Sequence, residues 1–387
     1  MRKSVAIAGG GLTGALAALD LARRGWRATL FDRRPRILQG ASRNNEGKLH
    51  LGFTYAMDGG GATARLLTRH GNEFLPILCE LTGRSADHFV TAERSMYAIP
   101  RDSWLDAAQS ESYLRGVCDG LAGIGRPADM RRLDPAEAAD AFSERMEAVF
   151  EVPETFVSTD KVCDAVEEAV LASPAIEVVT DTQVASFEGE GRPGVLLADG
   201  RRLGPFDAAV NSSWEGLADI ASGSGAPLSG LCIRAKAGFI ARVEAGMPRL
   251  PLTFAYGAFG DIVPVGGDMV YLSWYPACQF GFAPSADNGV AWYEGVHERF
   301  DAKAAYRASR EAFEALCPGL RLADAFDRVR AGAIVAAGRT DIHDTGSGLH
   351  TRTAIGVSRR GAIYSVDSGK FTSTPHMARA LGDAIAG

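Results

Sequence analysis

Three glycines near the start of the chain, Gly9, Gly11 and Gly14, stand in the spacing G-x-G-x-x-G, and an acid, Asp32, follows 18 positions later. The chemistry that needs this spacing is the binding of a dinucleotide. The first glycine permits a tight turn, the second lets the backbone approach a pyrophosphate, and the third allows a helix to pack closely on a strand. The helix N-terminus then meets the phosphate charge, and the acid accepts hydrogen bonds from ribose hydroxyls. Spacing alone is weak: with 45 glycines in 387 residues, about 0.6 matches arise by chance. Gly189, Gly191 and Gly194 supply such a decoy, since Pro193 and the following VLLADG describe a hairpin turn.

The elements around the first match are those the chemistry requires. SVAIA, residues 4–8, is a short β-prone run, and ALAALDLARR after Gly14 is rich in Ala and Leu with no β-branched residue. Gly25 is a helix stop, and ATLFD, a second strand, ends at Asp32. Strand, glycine turn, helix and strand fit within about 30 residues, the span of one dinucleotide-binding unit.

Composition narrows the rest. Forty-seven acidic against 41 basic side chains give a net charge of -6, a poor balance for nucleic-acid binding. With 46% apolar and 23% charged residues, burial can offset chain entropy, and the length allows two or three domains. The six cysteines contain no CxxC pair, so neither a zinc site nor a disulfide framework is expected. The early apolar run is broken by three glycines and followed by Asp20, Arg23 and Arg24, unlike a signal peptide, and no apolar stretch approaches the ~20 residues of a membrane span. A cytoplasmic location is expected.

Along the chain, residues 62–82 and 102–145 read largely helical, with DPAEAADAF from Asp134 as a capped start. DKVCDAVEEAVLA, residues 160–172, is an amphipathic helix followed by the strands IEVVT, TQVASFE and GVLLAD, and FDAAVNSS leads to Trp214. From Cys232 to Tyr275 the runs CIRAKAGFIARVE, LTFAYGAFGDIVPV and MVYLSWYP predict an antiparallel sheet, with a turn at Gly266-Gly267-Asp268. Residues 287–316 read as helix, and a last helix starts near Pro375. The pattern predicts an α/β nucleotide domain interrupted by a second domain with a broad antiparallel sheet.

Taken together, AIAGGGLTG with Asp32, SRNNEGKLHLGFTY from Ser42 to Tyr55, FDAAVNSSWEG, and IYSVDSGKFTSTPHMA near the end resemble the flavin-dependent D-amino-acid oxidase superfamily over nearly the whole chain. Gly369-Lys370-Phe371-Thr372, with Ala378 at the matching spacing, is most similar to glycerol-3-phosphate dehydrogenases. His50-x-Gly52-x-x-Tyr55 resembles a stretch shared by those enzymes and by L-2-hydroxyglutarate oxidases. Thr54 stands where the glycerol-3-phosphate enzymes carry an arginine for phosphate, so their substrate does not transfer. No cysteine sits in the motif that tethers flavin in sarcosine-oxidase relatives, so non-covalent FAD is expected. The absence of a second strand-linked glycine motif also favours FAD over a nicotinamide.

The resemblance implies a Rossmann-like FAD-binding domain of the glutathione-reductase type, from residues 1–75, 155–230 and 330–387, interrupted by an α+β substrate domain from 76–154 and 231–329. It implies that FAD is held by Gly9, Gly11, Leu12, Thr13, Gly14, Asp32, Arg33, Ser42, Gly47, Lys48 and Leu49, and by Gly369, Lys370, Phe371 and Thr372. His50 and Lys370 are the catalytic candidates. His50 is either a proton acceptor for an alcohol or a polar wall, and Lys370 stabilises charge near the flavin or is a solvated turn lysine. Arg352 stands where relatives place an arginine facing substrate, and its planar guanidinium suits a carboxylate. Tyr55, Tyr256 and Tyr275, with Trp274, are candidates to line the substrate cavity, though aromatics on such a sheet also serve as core. No HExxH or facial-triad spacing exists among the histidines, so no metal is expected.

The expected activity is removal of a hydride from a C-O or C-N bond of a small polar, anionic substrate, with C-O leading on the GKFT and H-x-G-x-x-Y resemblances. The acceptor is oxygen, a quinone or a carrier protein. Flavin monooxygenation is the alternative, and it predicts a Gly-Asp-Ala-type motif where this chain has SVDSGKFT. A non-catalytic nucleotide-binding protein is a third reading.

Overall fold

The computed structural model describes residues 2–126 and 128–387. At its centre lies a six-stranded sheet. Strand β1 (Ser4–Ala8) leads through the glycine turn into helix α1 (Leu12–Arg23), which returns to strand β2 (Arg27–Phe31). β1 and β2 pair in parallel from Ser4 opposite Arg27 to Ala8 opposite Phe31. The strand order is Gly356–Arg360, Ile363–Asp367, Ala208–Asn211, β1, β2, Ile176–Val179, antiparallel only between the first two.

A parallel sheet is buried on both faces, which explains why β1 is apolar from Val5 to Ala8. Successive side chains take opposite sides. Val5 and Ile7 enter the core beneath α1, while Ala6 and Ala8 pack against Val184, Phe187, Val195 and Leu197. The helices Ala62–Thr82 (α2), Thr159–Ala172 and Thr374–Ala386 share the first core. The hairpin Val184–Glu188/Gly194–Leu197 supplies the second, and of the decoy glycines Gly189 and Gly191 lie in its connecting loop while Gly194 opens its second strand, as the hairpin reading expects.

The second sheet has nine strands, in the order Gln279–Ala283, Leu231–Ala245, Met269–Trp274, Gly260–Gly266, Leu252–Phe254, Ser95–Pro100, Met146–Val152, Arg131–Arg132, with Arg321–Ala337 paired to Leu231–Ala245. The strand Leu231–Ala245 changes neighbour along one edge. Its first half pairs with Gln279–Ala283 and its second with Met269–Trp274, with an irregularity between Ala235 and Lys236. Helix Ala302–Leu316 covers this sheet through Ala305, Tyr306, Phe313 and Leu316, an apolar stripe at helical spacing.

Several elements are shorter than the sequence suggests. Residues 102–145 contain the helices Ala107–Gly123 and Pro135–Ala141 with the strand Arg131–Arg132 between them, and residues 287–316 break at Arg299–Asp301. The run LTFAYGAFGDIVPV splits into Leu252–Phe254 and Gly260–Gly266, and Tyr256 between them takes φ 59°. MVYLSWYP stops at Trp274 because Pro276 has no N–H for a strand paired on both sides, and Tyr275 opens a single helical turn, Tyr275–Cys278. The expected domain boundaries after residues 75 and 329 fall inside α2 and inside the strand Arg321–Ala337. Among the described residues no helix is long and apolar enough to cross a membrane.

Candidate active site

The first glycine turn is built for close approach. Gly9 has φ 101°, and a Cβ there would lie 2.5 Å from the Ser212 carbonyl oxygen; one on Gly14 would lie 2.1 Å from the Gly9 carbonyl oxygen. Gly11 is different: a Cβ there meets nothing nearer than Ser42 Oγ at 3.4 Å, because this residue borders an open cleft. α1 starts with no side chain capping its N-terminus and no acid in its first turn, and only the Leu12 amide is satisfied locally, donating to Ser42 Oγ at 2.9 Å. The positive end of the helix therefore faces the cleft.

Asp32, at the end of β2, accepts from the Gly10 amide at 2.9 Å with one oxygen and from the Arg34 amide at 2.8 Å with the other. Its carboxylate locks the turn as well as bordering the cleft. Arg33 turns away, donating to Glu215 at 3.0 Å and pairing with Glu294, whereas Arg34 donates to Glu215 at 2.8 Å and lines the cleft. Burial opposes the charge on Glu215, but the two guanidinium groups hold its carboxyl below the usual range.

The cleft encloses about 1300 Å³ including its mouth and runs from the glycine turn to the segment Ser368–Phe371. There it meets a second cavity of about 880 Å³, again including its mouth. Glu46, Lys48, His50, Tyr275, Ile334 and Lys370 line both. The strand pair Leu231–Ala245/Arg321–Ala337 supplies Lys236 and Ile334, and the segments around residues 46–50 and 368–371 close the junction. The His50 amide donates to Thr372 Oγ1 at 2.7 Å, which ties these two segments together.

The junction is densely charged. Lys48, almost wholly buried, donates to Asp261 at 2.7 Å and to Thr253 Oγ1. Burial opposes its charge, yet Asp261, Glu154 and Glu46 raise its pKa. Glu46 stands 3.5 Å from His50 Nε2, and although desolvation opposes it, Lys236 and His50 hold its carboxyl well below the usual range. His50 goes the other way: burial, then the Lys370 and Lys48 charges, lower its pKa to about 3. Its ring is neutral at ordinary pH.

The smaller cavity holds a further cation. Arg352 is 5% exposed, and its Nε and Nη1 have no hydrogen-bond partner. Asp367 lies close enough to feel its charge, but burial pushes that carboxyl up to about 6, and its Oδ1 is taken by the Gly369 amide at 2.8 Å. Arg234, 1% exposed, pairs with Asp341 at 2.9 Å and donates to Gln279. Aromatic walls come from Tyr55, Tyr256 and Trp104, and the Tyr256 hydroxyl donates to the Phe53 carbonyl at 2.9 Å.

Of the residues expected at a flavin, Gly9, Gly11, Leu12, Thr13, Asp32, Ser42, Lys48, Gly369, Lys370 and Phe371 line the large cleft. Gly14, Arg33, Gly47, Leu49 and Thr372 stand behind it. Leu49 is core, and a Cβ on Gly47 would lie 2.0 Å from the Val157 carbonyl oxygen. Tyr55, Tyr256, Tyr275 and Arg352 line the smaller cavity with His50 and Lys370. Sequence reasoning missed Arg34, Glu46, Arg234 and Lys236. The last two carried a signal: charges two residues apart in the apolar first part of a strand, residues 231–241, share one face and need a polar reason to be there. Among the described residues, no group of three His, Cys, Asp or Glu side chains is placed to hold a metal, and the six cysteines are unpaired.

An uncapped helix start, a bare backbone at Gly11 and a cleft ending beside several cations fit the pyrophosphate of a flavin dinucleotide and the ring that gains negative charge on reduction. Comparison with known proteins agrees. FAD-dependent monooxygenase FPY4 of Fusarium mangiferae is 34% identical over 131 residues, 30% of this chain and 32% of that protein. The tRNA 5-methylaminomethyl-2-thiouridine biosynthesis bifunctional protein MnmC of Pseudomonas paraeruginosa is 38% identical over 76 residues, 18% of this chain and 12% of that protein. The matched stretches thus span about a third or less of these curated relatives. Among solved structures, glycine oxidase from Geobacillus kaustophilus shares the fold with a TM-score of 0.70 at 16% identity, covering 99% of this chain and 94% of that one. L-amino acid deaminase from Proteus myxofaciens gives 0.70 at 13%, covering 99% and 90%. The model of the FAD-dependent oxidoreductase family (DAO) matches residues 4–383, and the chain belongs to that family.

Proposed function

We propose that this FAD-dependent enzyme oxidises a small substrate carrying a carboxylate beside the carbon that loses hydride, a 2-amino or 2-hydroxy acid. One observation carries the reading: a buried, unpartnered guanidinium, Arg352, in a cavity that shares a wall with the nucleotide cleft. A buried cation without an anion is costly, and a substrate carboxylate bound bidentately removes the cost. Tyr55 and Tyr256 then bound the space left for the substrate side chain.

In this reading the α1 N-terminus, Gly11 and Ser42 take the pyrophosphate, and Asp32 and Arg34 stand beside the adenosine half. Lys370 and Lys236 supply positive charge at the inner end. Bound FAD supplies the two-electron acceptor. His50 orients and walls the site; with a pKa near 3 it is too weak a base to hold a substrate proton at neutral pH.

The test is an anaerobic titration of the yellow holoprotein with glycine, sarcosine, L-proline, glycolate and L-lactate. Bleaching of the ~450 nm flavin band by one of these is the expected result. Arg352→Gln should then raise KM at least about 30-fold, the effect of losing about 2 kcal/mol of charge-assisted binding. An unchanged KM would remove the carboxylate clamp. A second reading, monooxygenation, is favoured by the similarity to the Fusarium FAD-dependent monooxygenase over 131 residues. It predicts that NAD(P)H, and no panel member, bleaches the flavin.

A further inference from the structure

The wall shared by the two cavities carries five titratable side chains, and four of them are unsuited to accept a proton from substrate. Glu46 is a strongly stabilised carboxylate and therefore a weak base. Lys48 spends its ammonium on Asp261 and Thr253. His50 is a weak base, and Lys370 contributes a positive charge to its surroundings. Tyr275 is the fifth.

Its setting differs from that of the other tyrosines. Pro276 ends the strand, and the single turn that follows sets Tyr275 at the junction, its amide donating to the Phe259 carbonyl at 2.7 Å. Lys236 Nζ lies 4.1 Å from the ring centroid and Arg234 Cζ 5.8 Å from it. Lys370, from the segment opposite, adds a third cation, opposed by the Asp261 carboxylate. Neighbouring Tyr271 and Tyr256 are buried and have their phenols driven up. Burial opposes ionisation of Tyr275 too, yet the charges of Lys236, Arg234 and Lys370 overcome it and bring the phenol below its ordinary value. Lys236 cannot lose its charge to relieve this, because Tyr275, Tyr271 and Glu46 raise it well above the usual lysine range.

We propose that Tyr275 is the proton acceptor of the active site and that the substrate it serves is an amine. This rests on the reading that the smaller cavity binds a small carboxylate substrate. The ammonium N–H bond breaks and its proton forms the Tyr275 O–H. The freed nitrogen lone pair forms C=N as the Cα–H bond breaks, its electron pair leaving as hydride to the FAD of the family's reaction. Phenol and ammonium hold their protons with similar strength, so the transfer is nearly balanced; an alcohol holds its proton far more tightly, which is why the acceptor points to C-N rather than C-O oxidation.

The holoprotein and its Tyr275→Phe variant decide the matter. Ultraviolet difference spectra taken against pH should show one phenol ionising below the ordinary tyrosine pKa in the first and missing from the second. Anaerobic flavin reduction by the amino acid of the panel should rise with pH through that ionisation and level off above it, since the phenolate is the active form. The variant should lose this limb and slow by roughly 10²- to 10⁴-fold. Lys236→Met, which keeps the phenol, should move the limb to higher pH. If no low ionisation disappears in Tyr275→Phe, or the variant keeps the wild-type rate and profile while the panel still bleaches the flavin, the base assignment falls alone. Bleaching by glycolate or L-lactate but by no amine overturns the amine part. If no panel member bleaches it, the functional reading falls as well.

Discussion

Gly11 is the residue whose side the cleft needs bare. Its neighbours in the motif, Gly9 and Gly14, are fixed by contacts within the protein, whereas a side chain at residue 11 would project into the space offered to the pyrophosphate. Gly11→Val should therefore fold and purify with little or no FAD, read as the ratio of flavin to protein absorbance; full flavin content would move the phosphate elsewhere. This residue and Asp32 were legible in the sequence because the chemistry sits within one short strand-helix-strand unit. Arg234 and Lys236 were visible only as an oddity, two charges in the apolar first part of a strand, because their partners Asp341 and Glu46 lie far off in the chain. Nothing in the local sequence says that Arg33 turns outward to Glu294 while Arg34 faces the cleft.

At the scale of elements, one buried ion pair fastens the segment before His50 to the nine-stranded sheet: Lys48 reaches Asp261 on Gly260–Gly266 and Thr253 on Leu252–Phe254. Removing one partner strands the other's charge in the interior. Lys48→Met should cost about 3–5 kcal/mol in denaturant unfolding, and adding Asp261→Leu should restore much of it, since a well-packed apolar pair often replaces a buried ion pair without loss. A single variant as stable as wild type would mean that water or another cation reaches Asp261. The existence of these strands was readable from their β-branched and aromatic runs. Their ends were not: the kink at Tyr256 and the turn at Tyr275 arise where the ladder is abandoned, and only Pro276 announced one of them.

At the scale of the molecule, the α/β pattern is present as a mostly parallel sheet and a nine-stranded one, and the positions 75 and 329 at which the sequence was divided fall inside a helix and a strand. Composition does not change where a strand runs from one region into the next, so no linker was there to be read. A cofactor cleft walled by both sheets ties their stability to its occupant. Stripping FAD should lower the melting temperature, by the equivalent of about 2.7 kcal/mol when the free cofactor had stood at 100 times its dissociation constant. Calorimetry of holo and stripped protein checks this, and equal melting temperatures would place FAD outside the shared cleft.

The long strand Leu231–Ala245 and its partner Arg321–Ala337 form walls of both cavities, whereas Met57, Trp104, Phe259 and His350 reach the smaller one from loops and single turns. For anyone retooling the enzyme this separates two kinds of position. A change on the strands alters cofactor and substrate environments together, while the loop residues form a library surface on which new substrates can be sought with the redox machinery left intact.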